Sequence, residues 1–228
     1  MCAEQITISP IDSSVYVKRA YADKATIDST LDRARAAQKQ WKTCPLGERK
    51  ALCSKAVDAF VAKKDEIAGE ITWQMGRPIR SAAGEVAALE ERARTMIDLA
   101  DEGLATIKLP DKPGLERWIQ REPLGVVFVI APWNYPYLTA INAVMPAILA
   151  GNSVILKHSA QTPLCAERFA EAFQAAGLPD GVFQYLHLTH EDTEAIIKDE
   201  RIGYVAFTGS VSGGSMVEKA AAEPVNAT

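Results

Sequence analysis

The stretch from Val129 to Pro163, "VIAPWNYPYLTAINAVMPAILAGNSVILKHSAQTP", decides the reading of the fold. Two apolar runs flank a segment of helical length, and each run ends in polar groups. Pro132-Trp133-Asn134 closes the first, and Lys157-His158-Ser159-Ala160 closes the second. Working outward, "GVVFVIAP", "GNSVILKH", "GVFQYLHL" and "RIGYVAFTGS" form a series of short runs rich in β-branched and aromatic residues. Each is separated from the next by enough chain for a helix. Continuous apolar runs alternating with helical segments predict parallel strands covered on both faces, hence a doubly wound α/β sheet. Pro136 and Pro163 stand where a first helical position would be, the latter with Thr162 as its N-cap.

The first hundred residues have a different texture. "ITISPIDSSVYVKRAYAD" places Pro10, Asp12 and Ser13 between β-prone runs and predicts a small hairpin. In "DKATIDSTLDRARAAQKQWK", Ile27, Leu31, Ala34 and Gln38 recur at helical spacing, with Trp41 closing the stripe. Pro45 opens a second helix whose apolar face runs through Leu52, Ala56, Ala59, Phe60 and Ile67. A third helix is expected from about Ile79 to Leu104. No catalytic motif falls on these helices, which read as scaffold. "ATIKLPDKPGLERWIQREPLG" reads as two extended pieces joined at Asp111-Lys112-Pro113-Gly114, a hairpin signal. The expected organisation is residues 1–103 as hairpin and helices, 104–124 as a protruding hairpin, and 125–228 as the sheet core.

Composition narrows the function. A chain of 228 residues with 48% hydrophobic and 24% charged residues and a net charge of -4 has ordinary globular character. It carries no basic footprint for nucleic acid. No run approaches the ~18 apolar residues of a membrane span, and "MCAEQITISP" has neither the basic nor the apolar region of a secretory signal. A cytoplasmic location without membrane partners is the expectation. Cys2, Cys44, Cys53 and Cys165 show no CxxC spacing, and His158, His187 and His190 no HxxxH spacing. Neither a disulfide framework nor a metal site is expected.

The chemistry concentrates at the strand tips. In open α/β sheets, ligands bind beyond the carboxyl ends of the strands. There the sequence places Asn134, Lys157 with Ser159, and Thr208-Gly209-Ser210, the last opening "GSVSGG" before a helix. Gly209 and Gly214 let a backbone approach a ligand, and free amides at a helix N-terminus attract phosphate. Taken singly, the glycine turn is turn chemistry, Lys157 a solvated amine, Asn134 an Asx turn and Trp133 a core residue. Their convergence on one edge of one sheet favours a nucleotide site, although the GxGxxG fingerprint is missing.

"PLGVVFVIAPWNYP", "AGNSVILKHSAQTP", "GLPDGVFQYL" and "FTGSVSGG" together resemble the successive signatures of the NAD(P)-dependent aldehyde dehydrogenase superfamily, along the whole chain. The resemblance implies a Rossmann-like nucleotide domain, an oligomerisation hairpin around Leu104 to Leu124, a separate catalytic domain, and a homo-oligomer (dimer or tetramer). It implies NAD or NADP as cofactor and a small aldehyde as substrate. By the same resemblance Asn134 matches the asparagine whose amide holds the substrate oxyanion, and Trp133 the tryptophan beside the pyrophosphate. Lys157 matches the lysine on the adenosine ribose, and Ser210 the phosphate contact on a GxxxxG turn formed by Gly209 and Gly214. The strand-tip residues Ile130, Ala131, Pro132, His158, Ser159, Ala160 and Thr208, with Gly181 of "GLPDGVFQYL", complete the implied cofactor set.

The family pattern also departs at two places. Its general-base glutamate, in an "ELGG"-like segment, and its cysteine nucleophile do not occur in these residues, which run to "EPVNAT". The expectation is the N-terminal, cofactor-binding half of an enzyme that oxidises an aldehyde through a cysteine thiohemiacetal, with the catalytic domain absent and the chain inactive alone. Cys165, at a helix start on the adenosine side, is not expected to substitute. A nucleotide-binding or oligomerisation protein without catalysis is the alternative; a nonfamily α/β reductase fits less well because "PWN" is present and GxGxxG is not. Further, NAD-preferring relatives often carry glutamate three residues after the strand-tip lysine, where this chain has Ala160, so NADP is expected to be tolerated.

Overall fold

The computed structural model describes residues 4–222; Cys2 and the "EPVNAT" stretch lie outside the described residues. The four apolar runs form a parallel sheet of β5 (Val126–Ala131), β6 (Ser153–His158), β7 (Phe183–Tyr185) and β8 (Ile202–Phe207), in the order β7-β6-β5-β8. β5 is buried at every position, which is why its sequence is continuously apolar rather than alternating. The helices between the strands are α5 (Pro136–Leu149), α6 (Leu164–Ala175), α7 (His190–Ile197) and α8 (Val211–Ala222).

Alternation along the strands creates two cores. Val127, Val129, Ala131, Val154 and Leu156 face one side, packed with α5 and α6. Val126, Phe128, Ile130 and Ile155 face the other, against Leu186, Leu188, Ile196, Ile197 and Ala220. The chain winds outward from β5 through β6 to β7, then returns to lay β8 beside β5. That reversal leaves a crevice beyond the carboxyl ends of β5 and β8, the place where such sheets take ligands.

The N-terminal half covers this sheet. β1 (Glu4–Ile8) and β2 (Val15–Ala20) pair antiparallel as the expected hairpin. α1 (Lys24–Trp41) starts at Asp23, whose carboxylate accepts from the Thr26 amide at 2.8 Å, and joins the second core through Ile27, Leu31 and Ala34. α4 (Ile79–Gly103) forms over the expected range and packs on α5. β3 (Ile107–Lys108) and β4 (Trp118–Ile119) pair antiparallel within residues 104–124.

Two expectations change. The helix opened by Pro45 is two helices, α2 (Leu46–Val61) and α3 (Lys64–Met75), so Ile67 packs from α3 and does not extend the α2 face. No glycine or proline marks the break; the legible signal was Asp65 and Glu66, acids in the first turn of a new helix. Thr162 does not cap α6. Its hydroxyl meets His158 Nδ1 at 3.0 Å, and the Leu164 amide donates at 3.0 Å to Gln74 Oε1, reaching across from α3. Among the described residues, no helix is long and apolar enough to cross a membrane.

Candidate nucleotide site

A groove of about 790 Å³ opens at the carboxyl ends of β5, β6 and β8. Its volume lies within the ordinary range of small-molecule and cofactor sites. Three strand tips supply its polar rim. From β5 come Ile130, Ala131, Pro132, Trp133 and Asn134; from β6 Lys157, Ser159 and Ala160; from β8 Thr208, Gly209 and Ser210. These eleven of the fourteen residues singled out in the sequence therefore share one cavity.

Lys157 is the only lysine or arginine among the described residues of the lining, which also holds the Glu194 carboxylate. Its ammonium has no ion pair or hydrogen bond with a described residue. Burial pushes its pKa below the ordinary lysine value. A half-buried cation without a partner is costly, so an anionic or hydroxyl-rich ligand would relieve it. Ser159 Oγ accepts the Gln161 amide at 3.3 Å and keeps its proton available to donate. Ala160 is exposed, and its carbonyl accepts from Thr7 Oγ1 at 2.8 Å, which ties the β6 tip to the N-terminal hairpin.

At the β5 tip, Asn134 Oδ1 accepts the Tyr135 amide at 3.0 Å, and its side-chain NH2 has no acceptor among the described residues. Trp133 and Tyr135 are about half exposed, so neither is a core residue. At the β8 tip, Ser210 Oγ accepts the Gly213 amide at 3.1 Å and closes the first turn of α8. The Val211 and Ser212 amides find no acceptor among the described residues, leaving α8 with free donors at its start.

Three singled-out residues lie elsewhere. His158 is 2% exposed and points into the opposite core, its Nε2 3.1 Å from the Pro136 carbonyl oxygen. Burial lowers its pKa to about 4, which makes it a neutral packing group and not a donor to a ribose. Gly181 stands before the amino end of β7, pressed on α1: a Cβ there would lie 2.8 Å from the Arg33 carbonyl oxygen. Its φ of +84° and this close approach account for glycine without a ligand. Gly214 is the fourth residue of α8, and its amide donates to the Ser210 carbonyl at 2.9 Å. The tight positions are Gly209 and Gly213, where a Cβ would meet the Phe207 ring at 2.6 and 2.9 Å.

Cys165 is fully buried on the α5 side of the sheet, and burial raises its thiol pKa well above the ordinary range. It does not line the groove. Sequence reasoning also missed the groove's far wall. Leu188, Thr189, His190, Thr193, Glu194 and Ile197 around α7, with Met216 and Val217 of α8, line it with mixed polar and apolar groups. α7 has no chemical motif to draw attention to it; only its position after β7 could have done so.

A sequence model of the aldehyde dehydrogenase family matches residues 3–228. The chain belongs to the aldehyde dehydrogenase family. It is 33% identical over 218 residues to N-succinylglutamate 5-semialdehyde dehydrogenase 1 of Caulobacter vibrioides, covering 96% of this chain and 46% of that protein. It is 32% identical to the succinate semialdehyde dehydrogenase [NAD(P)+] of Escherichia coli, with 93% of this chain and 46% of the relative aligned. Among solved structures, the succinic semialdehyde dehydrogenase of Streptococcus pyogenes in complex with NADP+ superposes with a TM-score of 0.90 at 29% identity, over 96% of this chain and 48% of the other. The aldehyde dehydrogenase chain described here thus spans about half the length of the relatives it matches.

Proposed function

We propose that this chain supplies the NAD(P)-binding half of an aldehyde dehydrogenase. The observation that carries the reading is the groove: an unpaired Lys157, free α8 amides and the open Asn134 amide line one cavity. The parts fit the group. Lys157 and Ser159 would hold the adenosine ribose, Ser210 and the α8 amides a phosphate, Trp133 the neighbouring pyrophosphate, and Ile197, Met216 and Val217 of the α7 and α8 wall the adenine. When bound, NAD(P)+ would accept the hydride lost by the aldehyde. Asn134 would donate its free amide to the substrate oxygen as negative charge develops there, a contact worth roughly 3 kcal/mol. NAD and NADP complexes of similar structures support the cofactor class.

Cys165, buried away from the groove, would not serve as the nucleophile, and no cysteine among the described residues lines the groove. The 228-residue chain is therefore expected to bind cofactor without oxidising aldehydes. The β3–β4 hairpin exposes Ile107, Trp118 and Ile119, and Leu115 between them, as an oligomerisation arm would. The deciding experiment is calorimetric titration of this chain with NADP+ and NAD+, repeated for Lys157→Met. Saturable binding weakened at least tenfold by the substitution supports the proposal. Binding of neither dinucleotide, or binding indifferent to Lys157, would overturn it. Aldehyde turnover by the chain, lost in Cys165→Ala, would overturn the assignment of the nucleophile.

A further inference from the structure

Helix α5 begins immediately after the Trp133-Asn134-Tyr135 turn, and its N-cap residue Tyr135 offers no side-chain acceptor. The acceptor comes from another helix. Glu85 of α4, 3% exposed, takes the Tyr137 and Leu138 amides on Oε1 at 3.2 and 3.0 Å, while its Oε2 meets the Arg77 guanidinium. Arg77 lies in the link between α3 and α4. Its Nη2 donates to the Asn134 carbonyl oxygen at 2.6 Å, and its Cζ stands 4.7 Å from the centroid of the Tyr135 ring. The turn is therefore gripped from both sides of Asn134: Arg77 holds its carbonyl and the ring that follows, and Glu85 holds the next two amides.

This is an unusual way to start a helix. Asp23 and Thr189 cap α1 and α7 from the cap position itself, with no buried charge. A carboxylate brought from α4 and neutralised by an arginine takes two charged groups out of water, so capping alone does not account for it. The arrangement does give what a local cap would not. With Asn134 Oδ1 fixed on the Tyr135 amide, the direction of its NH2 follows the backbone of the turn, and that backbone is what Arg77 and Glu85 hold.

We infer that Arg77 and Glu85 are positioning residues for Asn134, fixing the amide donor against the substrate oxygen. The inference rests on the proposed role of Asn134. Lysine in place of Arg77 would keep the charge but lose the planar fork that reaches the carbonyl and covers the Tyr135 ring at once.

The test is a double-mutant cycle in the active enzyme that contains these residues, with kcat, KM for aldehyde, the NADP+ dissociation constant and Tm measured for each variant. Arg77→Met is expected to lower kcat by about tenfold to a hundredfold, as small displacements of catalytic groups do, with cofactor binding changed less than about twofold. Arg77→Lys is expected to recover part of the loss. In an Asn134→Ala background, Arg77→Met is expected to lower kcat by less than about twofold, because the group it positions is gone. Multiplying losses, or an unchanged kcat in Arg77→Met, would overturn the inference. An unchanged kcat in Asn134→Ala would instead overturn the parent role of Asn134, a result the Arg77 variants cannot imitate. Should Arg77→Met fail to fold, the same cycle run with Arg77→Lys decides.

Discussion

Replacing Ala160 with glutamate tests the cofactor side of the groove directly. Ala160 is exposed beside Lys157 at the β6 tip, and its carbonyl is pinned by Thr7 Oγ1 at 2.8 Å, so a longer side chain can be added without moving the loop. A carboxylate there would stand roughly 5 Å from a ribose 2′-phosphate held by Lys157. Two unit charges at that distance repel by about 3 kcal/mol at an effective dielectric of 20, and by about 0.8 kcal/mol in bulk water. An exposed position lies between these limits, and Lys157 offsets part of the repulsion, so a value near 1.4 kcal/mol, about tenfold, is expected against NADP+. The same carboxylate would accept from both ribose hydroxyls of NAD+. The unmutated protein is expected to use NADP+ at least as well as NAD+, and Ala160→Glu to shift the preference about tenfold toward NAD+. The assay is the ratio of dissociation constants in this chain, or of kcat/KM in the active enzyme, with Ala160→Gln as the uncharged control of equal size. A strong native preference for NAD+ left unchanged by Ala160→Glu would refute this placing of the ribose.

Three further outcomes follow from the ionisation of buried groups. Burial lowers the Lys157 pKa, so NADP+ affinity is expected to fall as pH rises through that lowered value, because only the ammonium pairs with phosphate; Lys157→Met should flatten the profile in a calorimetric series. Native His158 takes its proton only near pH 4, whereas the unfolded chain takes it near 6.5. Stability is thus expected to drop on acidification between about 6.5 and 4, by on the order of 3 kcal/mol from this residue, and urea unfolding of His158→Gln should show a shallower loss across the same window. Cys165 is fully buried with a raised thiol pKa, so iodoacetamide should modify it only after denaturation; mass spectrometry that finds it labelled in the native protein would contradict its packing.

How much of this was legible depended on whether neighbours in sequence carried the signal. The sheet was legible because strands buried on both faces must be continuously apolar, and "VVFVIA" and "SVIL" have few other readings. Strand alternation held more than was taken from it. Lys157 follows Ile155 onto the groove side, whereas His158 follows Leu156 into the other core, so the two could not both reach one ribose. Strand polarity likewise placed Gly181 at the amino end of β7, away from the ligand edge. In sequence the glycines of "GSVSGG" suggest room for a phosphate, yet Gly209 and Gly213 lie on the Phe207 ring, a contact invisible before the turn closes over its own strand. The wall from α7 has no local signature at all, since its place beside the groove comes from the crossover that returns the chain to β8.

The same distinction explains why the helices before residue 104 read as mere scaffold. Their functional part is made through contacts across some fifty to ninety positions, which no window of sequence displays. Gln74 of α3 caps α6 beyond the β6 tip, and Glu85 of α4 caps α5 beyond the β5 tip. α5 and α6 thus borrow an acceptor from the helical layer, whereas α8, after β8, is closed by its own Ser210. Pro163 and Tyr135, the N-cap residues of α6 and α5, make no side-chain cap bond. A capping side chain inside each turn would need space and hydrogen-bonding capacity where Asn134 and Ser159 face the groove. Moving the caps onto another layer leaves those turns free for ligand contacts while still satisfying the helix starts. The helical layer for this reason helps hold the turns that carry Asn134 and Ser159.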